Sequence, residues 1–300
     1  MSGFRRVWAL LLAVGSMAVL APACVPPRVA AGRILVTAAF YPLAEAAQVV
    51  GGRRVEVVDL TPSGAEPHDV ELTARDLRRL EDARVVVYVG GGFQPALDRA
   101  LANRGKRSGV LDVVRTVSTL PGEKRTARDP HVWLDPLRYA QIVERVGRSL
   151  AEADPPGRDY YVNRAASYAR ELAGLDAEFR SGLSGCRVRT LVTAHGAFAY
   201  LAARYGFRQV AISGISPESE PNPRHLADVA RTVRREKVTT VYFESLVSPK
   251  VAEALARETG ARAAALNPIE SRTAAEARQG KDYMELMRED LEALREGQGC

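Results

Sequence analysis

The chain has few of the residues that most often carry chemistry. Its 300 residues include four histidines, three cysteines, two tryptophans and four methionines. No Gly-x-x-x-x-Gly-Lys-Ser/Thr run occurs, which excludes phosphate-loop nucleotide hydrolysis. Gly-x-Ser-x-Gly, His-Glu-x-x-His and Cys-x-x-Cys are also missing, and with them the signatures of serine hydrolases, zinc proteases and thiol redox sites. Gly90-Gly-Gly92 lacks the Gly-x-Gly-x-x-Gly spacing and reads as a tight turn. The 24 glycines and 17 prolines follow no period, so collagen is excluded, and a 46% hydrophobic content excludes disorder. What remains is an ordinary globular chain with ample apolar content for a core.

The N-terminus stands apart. Arg5 and Arg6 precede an apolar stretch from Val7 to about Leu20, followed by Ala21-Pro-Ala-Cys24. A charged start, a short apolar run and small residues read as a secretory signal over residues 1–23. Pro22 ends the run too early for a membrane anchor helix. Cys24 then resembles the acylated first residue of a bacterial lipoprotein, although Ala21 stands where that box prefers Leu. Lipid anchoring at Cys24 and plain cleavage to a soluble periplasmic form both stay open. Removing Arg5 and Arg6 takes the net charge from +6 to +4. No basic blocks are interleaved with aromatics, so a nucleic-acid partner is not expected. Export leaves Cys186 and Cys300 in an oxidising compartment, either paired with each other or as one buried and one terminal thiol.

From residue 33 onward, short apolar runs alternate with helical periodicity. Strands are expected at Ile34–Ala39, Val55–Leu60, Val85–Val89, Gly109–Val113, Arg189–Ala194, Gln209–Ile212, Thr239–Phe243 and Arg262–Leu266. Helical segments such as Thr73–Glu81 and Arg224–Arg235 lie between them. Continuously apolar strands alternating with helices predict α/β architecture with parallel sheets. The halves repeat at about 155 residues. Leu35-Val-Thr-Ala38 matches Leu191-Val-Thr-Ala194, Glu66-Pro67 matches Glu220-Pro221, and Val85–Val89 matches Thr239–Phe243. Two similar lobes follow, 33–154 and 186–300. Between them, over 155–185, Tyr161, Ala165, Tyr168, Leu172, Leu175, Phe179 and Leu183 fall at steps of three and four, predicting one long rigid helix.

Three of the four histidines fall in loops at element ends. His68 lies past the second strand, His131 enters a helix beginning near Leu137, and His195 directly follows a strand. Ligands of open parallel sheets bind outside the carboxyl ends of the strands. His225, inside a polar helical run, reads as surface. Three neutral imidazoles suit Zn2+. A fourth ligand is expected from another strand end: Glu270 is preferred, with Glu244 as rival and Asn267 as a weaker one.

The segments Gly64-Ala-Glu-Pro-His-Asp-Val-Glu-Leu-Thr73, Asp129-Pro-His-Val-Trp-Leu-Asp-Pro136, Val192-Thr-Ala-His-Gly-Ala-Phe198 and Leu266-Asn-Pro-Ile-Glu270 together resemble the cluster A-I zinc/manganese-binding substrate-binding proteins of bacterial ABC transporters. The resemblance spans residues 33 to 300. It implies a metal site in the cleft between the lobes, with His68, His131, His195 and Glu270 as ligands. It implies a non-enzymatic, monomeric receptor that hands Zn2+, or alternatively Mn2+, to a membrane permease. Manganese-type relatives replace one histidine by Glu and use Asp fourth, so three retained histidines favour zinc. Two departures stand out. Pro121–Arg128 contains no histidine, where many zinc-uptake members carry a His-rich loop. Gln94 and Ala96 stand where members often have Glu and Trp, a change expected to touch lobe packing. A zinc hydrolase with an open fourth position, and an adhesin with a structural metal, are the rival readings.

Overall fold

A computed structural model describes residues 32–103, 109–122, 128–217 and 222–300. The signal segment, Cys24, the middle of the 121–128 stretch and Glu220-Pro221 lie outside them. Every expected strand is present. The first sheet contains β1 (Ile34–Ala38), β2 (Val55–Asp59), β3 (Val85–Tyr88) and β4 (Val110–Asp112). The second contains β5 (Thr190–Thr193), β6 (Arg208–Ala211), β7 (Thr240–Phe243) and β8 (Arg262–Ala265). Both sheets are parallel, ordered β2-β1-β3-β4 and β6-β5-β7-β8. The sequence repeats land on equivalent strands, β1 with β5 and β3 with β7. In each sheet the order reverses between the repeat strands, which opens a crevice at their carboxyl ends.

The crossover helices of the first lobe are α1 (Tyr41–Gly51), α2 (Ala74–Asp82) and α3 (Pro95–Asn103). Thr73 and Asp76 form a reciprocal capping box that fixes the start of α2. The lobe ends in α4 (Pro136–Ala153), which a three-residue turn at Pro155–Gly157 links to α5 (Arg158–Leu183). At 1.5 Å per residue, the 26 residues of α5 run about 39 Å. All seven apolar positions that predicted it are buried. A Cβ at Gly147 of α4 would meet the Ala165 side chain at 2.8 Å, so glycine lets α4 and α5 approach as an antiparallel pair.

The second lobe adds α6 (Ala199–Tyr205), α7 (Pro223–Arg235), α8 (Lys250–Thr259), α9 (Ala274–Gln279) and α10 (Tyr283–Gln298). Helix α10 is a second strap between the halves. At its start the Tyr283 ring lies 4.1 Å from that of Tyr139 on α4, and its hydroxyl donates to the Trp133 carbonyl. Midway, Arg288 makes a two-pronged bond to Glu178 on α5 at 2.8 and 3.1 Å. At its end the Gln298 side chain, fully buried, donates to the Val188 and Thr190 carbonyls beneath the second sheet. One continuous core runs from Val36 through α5 to Leu294, while a smaller cluster around Val192, Val229 and Leu255 covers the outer face of the second sheet. Among the described residues, no helix is long and apolar enough to cross a membrane.

Cys186 and Cys300 are joined across 114 residues, tying the end of α10 to the entry of the second lobe. In the chain-entropy model a bridge over so long a loop contributes about 4–5 kcal/mol, and native bridges deliver about 2–5 kcal/mol. Reduction, or Cys300→Ser, is expected to lower the thermal midpoint by about 5–10 °C. Identical unfolding curves with and without reductant would refute that contribution.

Glu45 of α1 faces the start of α10. Burial and the negative charge of Asp282 push its carboxyl up to about 7, against the opposing field of Arg272. A folded-state value above the unfolded one means that folding favours the protonated form. Stability is therefore greatest with respect to this group below its unfolded value and falls as pH rises toward about 7. Glu45→Gln is expected to raise the thermal midpoint at pH 8 and leave it nearly unchanged at pH 4.5, as read by calorimetry at the two pH values.

Candidate metal centre

Each histidine is placed by a short local motif. Glu66 precedes the turn Pro67–Asp69, and its carboxylate accepts the backbone N–H of His68 at 3.2 Å. Asp129 acts twice: one oxygen accepts the His131 backbone N–H at 2.9 Å and lies 2.8 Å from the same residue's ring Nδ1. His195 stands at the carboxyl end of β5. Its carbonyl accepts the Thr193 hydroxyl at 2.7 Å, and its ring Nδ1 lies 2.5 Å from Glu244 at the end of β7. Carboxylates on Nδ1 fix the proton there and leave the Nε2 lone pair of His131 and His195 free to face the cleft.

Glu270 arrives on the loop after β8. The Asn267 side chain accepts the Ile269 N–H at 2.8 Å, and the Asn267 N–H donates to the buried Asp290 at 2.7 Å. The Trp133 indole, from the first lobe, donates to the Pro268 carbonyl at 2.8 Å. Between these anchors Ile269, fully buried, is held at φ 54°. A β-branched residue in the left-handed region stores strain of about 1–3 kcal/mol. Packing overrides that cost and turns the Glu270 carboxylate toward the histidines.

The result is a convergence. One candidate ligand atom from each of His68, His131, His195 and Glu270 lies within 4.8 Å of all the others. Glu270 Oε1 is 3.1 Å from the His131 Nε2 and 3.5 Å from those of His68 and His195. All three Nε2 atoms and both Glu270 oxygens are buried with no aligned hydrogen-bond partner among the described residues. Burial opposes ionisation of Glu270, but the surrounding imidazoles outweigh it and hold the carboxyl well below its ordinary range. Burial likewise lowers the His195 imidazole, but Glu244 and Glu270 reverse this and push it up to about 10. His131 moves upward too, its burial offset by Asp129 and Glu270. Phe93 closes one wall, with its ring 4.4 Å from that of His68, and Phe40, tilted, and Trp133, edge-on, pack against it. A narrow cleft of about 10 Å³, lined by Glu66, Glu244, Ser245 and Asn267, reaches Glu270.

The rivals for a fourth ligand fall elsewhere. Glu244 addresses the far nitrogen of His195, and the Asn267 side chain is engaged with backbone. His225 is exposed, its Nε2 2.9 Å from the Ala211 carbonyl. Gln94 is buried beside the site loops, donating to Thr61 and the Ala39 carbonyl, which is a packing role. Sequence reasoning did not find Asp129, Trp133 or Asp290. Asp129, two residues before His131, could have been read as an Asx turn, but Trp133 acts across the lobes and Asp290 acts from α10 on a loop 23 residues earlier.

Two parallel-sheet lobes with three imidazoles and a carboxylate buried between them have the architecture of a metal-binding substrate receptor. The chain belongs to the family described as Zinc-uptake complex component A periplasmic, whose model matches residues 36–297. It is 32% identical over 300 residues to the zinc-binding lipoprotein AdcA of Streptococcus pneumoniae, covering 95% of this chain and 60% of that protein. It is 30% identical over 278 residues to the high-affinity zinc uptake system protein ZnuA of Bacillus subtilis, covering 88% and 87%. The Zn(II)-bound ZnuA-like domain of S. pneumoniae AdcA superposes with a TM-score of 0.78 at 33% identity, over 90% of this chain and 100% of that one. The laminin-binding protein of Streptococcus agalactiae, described as a bifunctional protein with adhesin and metal transporting activity, gives 0.79 at 32%, over 89% and 99%. The chain thus spans about 60% of the length of AdcA.

Asp129→Asn and Glu244→Gln each remove a carboxylate from an imidazole Nδ1 without touching the converging atoms. Each is expected to weaken metal binding about 10–100-fold, read by competition with a chromophoric chelator. Unchanged affinity in both would show that these carboxylates do not orient the rings.

Proposed function

We propose that this protein is an exported receptor that captures Zn2+ between its lobes through His68, His131, His195 and Glu270 and delivers it to the membrane permease of an ABC transporter. The observation that carries the reading is that four side chains converge on one point, their three Nε2 atoms and both Glu270 oxygens buried without hydrogen-bond partners among the described residues. Leaving such atoms unpaired costs about 1–3 kcal/mol each unless a ligand satisfies them. Three imidazoles with one carboxylate form a nitrogen-rich, four-coordinate donor set that suits zinc better than the harder Mn2+. A fourth donor in place also argues against a hydrolase, which keeps that position open for water. Residues 33–154 and 186–300 act as lobes and 155–185 as the rigid link. The mature chain works as a monomer outside the cytoplasmic membrane, either soluble or anchored through Cys24.

Calorimetry and elemental analysis of chelator-stripped mature protein are expected to give one Zn2+ per chain. His68→Ala and His195→Ala should each weaken binding at least about 100-fold, and affinity should fall as pH drops, because the imidazoles must give up their protons to coordinate. No uptake, or uptake unchanged in the double variant, refutes the assignment. Tighter binding of Mn2+ than of Zn2+ refutes the choice of metal.

A further inference from the structure

The loop that carries Glu270 continues into Ser271 and Arg272, and both are bonded to the ligand loop of the other lobe. The Gly64 N–H, four residues before His68, donates to the Arg272 carbonyl at 2.8 Å. The same N–H lies 3.3 Å from the Ser271 hydroxyl, which in turn reaches the Pro62 carbonyl at 3.4 Å. Gly64 makes this turn at φ 86°, where a side chain would be strained. The Arg272 side chain then crosses to α1. Its guanidinium lies 4.3 Å from the Tyr41 ring centroid, and one nitrogen donates to the Lys281 carbonyl at 3.0 Å. The Tyr41 hydroxyl reaches that same carbonyl at 3.4 Å. Lys281 directly precedes Asp282, the N-cap of α10. One cation therefore joins the Glu270 loop, the first helix of the opposite lobe and the start of the strap.

We propose that Arg272 is an interlobe latch, a positioning residue that holds the Glu270 loop against the His68 loop and so keeps the metal site assembled. The proposal rests on the reading of the four converging groups as metal ligands. The charges around the guanidinium fit the role. Glu45 on α1 and Asp59 at the end of β2 both lie within its field, and burial pushes each carboxyl up to about 7 while Arg272 opposes the rise. The Arg272 Nε is buried and has no hydrogen-bond partner among the described residues, so the ring and the Lys281 carbonyl hold the side chain. A partly desolvated cation over an aromatic face is strong enough to alter a dissociation rate by about tenfold.

The test uses Arg272→Ala, Arg272→Lys, Tyr41→Leu and, as a control that keeps the ring, Tyr41→Phe. In metal-free protein, hydrogen exchange at the Gly64 amide is expected to quicken about tenfold in Arg272→Ala and Tyr41→Leu. Their double variant should be no faster than either alone. Arg272→Lys and Tyr41→Phe should stay near wild type. In zinc-loaded protein, release into excess chelator should quicken about tenfold in the same two variants, with the association rate within about twofold of wild type. A lowered thermal midpoint with wild-type Gly64 exchange and wild-type zinc release would mean ordinary packing and overturn the latch. If Arg272→Ala does not fold, the Tyr41→Leu and Arg272→Lys results decide by the same criteria. Failure of the wild-type chain to take up zinc would instead overturn the receptor reading, and Gly64 exchange would still judge the latch.

Discussion

The whole molecule turns on one unfavourable arrangement, a buried carboxylate oxygen faced by three imidazole nitrogens with no aligned hydrogen bond between them. Such a cluster is costly in the absence of a ligand, because each unpaired buried polar atom forfeits its solvation. Left to itself the site would relax. Side chains would rotate to find partners, or the lobes would part and admit water. It persists because every converging group is fixed from behind: His68 through Glu66, His131 through Asp129, His195 through Glu244, and Glu270 through the turn at Asn267.

Local anchors would be of little use if the lobes themselves were free to move. The antiparallel pair α4 and α5 forms the back of the molecule, and its apolar stripe is continuous with the cores of both sheets. Helix α10 adds a second connection, clamped at its start by Tyr283 and at its end by the bridge from Cys300 to Cys186. Two straps crossing the same boundary resist twisting as well as bending, which a single helix would not. Gly297 shows how closely the second strap is seated, since a Cβ there would overlap the Tyr242 hydroxyl at 1.8 Å.

The parts legible in the sequence were those written in short stretches. Eight apolar runs marked eight strands, and the spacing from Tyr161 to Leu183 marked α5 in full. The scarcity of histidine made each one informative, and three of the four converge in space. The parts that stayed hidden depend on distant pairings. Glu244 was weighed as a ligand because it ends a strand. Its contact is with His195, 49 residues earlier, and no local pattern reports which nitrogen it faces. The Trp133 bond to Pro268 spans 135 residues, and the φ of Ile269 follows from packing rather than propensity. Helix α10 was invisible as a strap because its amphipathic pattern reveals a buried face but not which lobe covers it.

The same division explains where the molecule can yield. The histidines sit on turns directly joined to β5, to α4 and to the β2 crossover, and displacing any of them means disturbing a sheet or the helical back. Glu270 is different. It lies on an irregular loop between β8 and α9, held by a strained residue, one indole and the Arg272 contact. Strain at Ile269 raises the energy of the assembled loop and lowers the barrier to leaving it. On the function proposed above, a site that must both hold a cation tightly and surrender it needs one group whose position costs energy to maintain. Among the four groups, only Glu270 has that property built into its backbone.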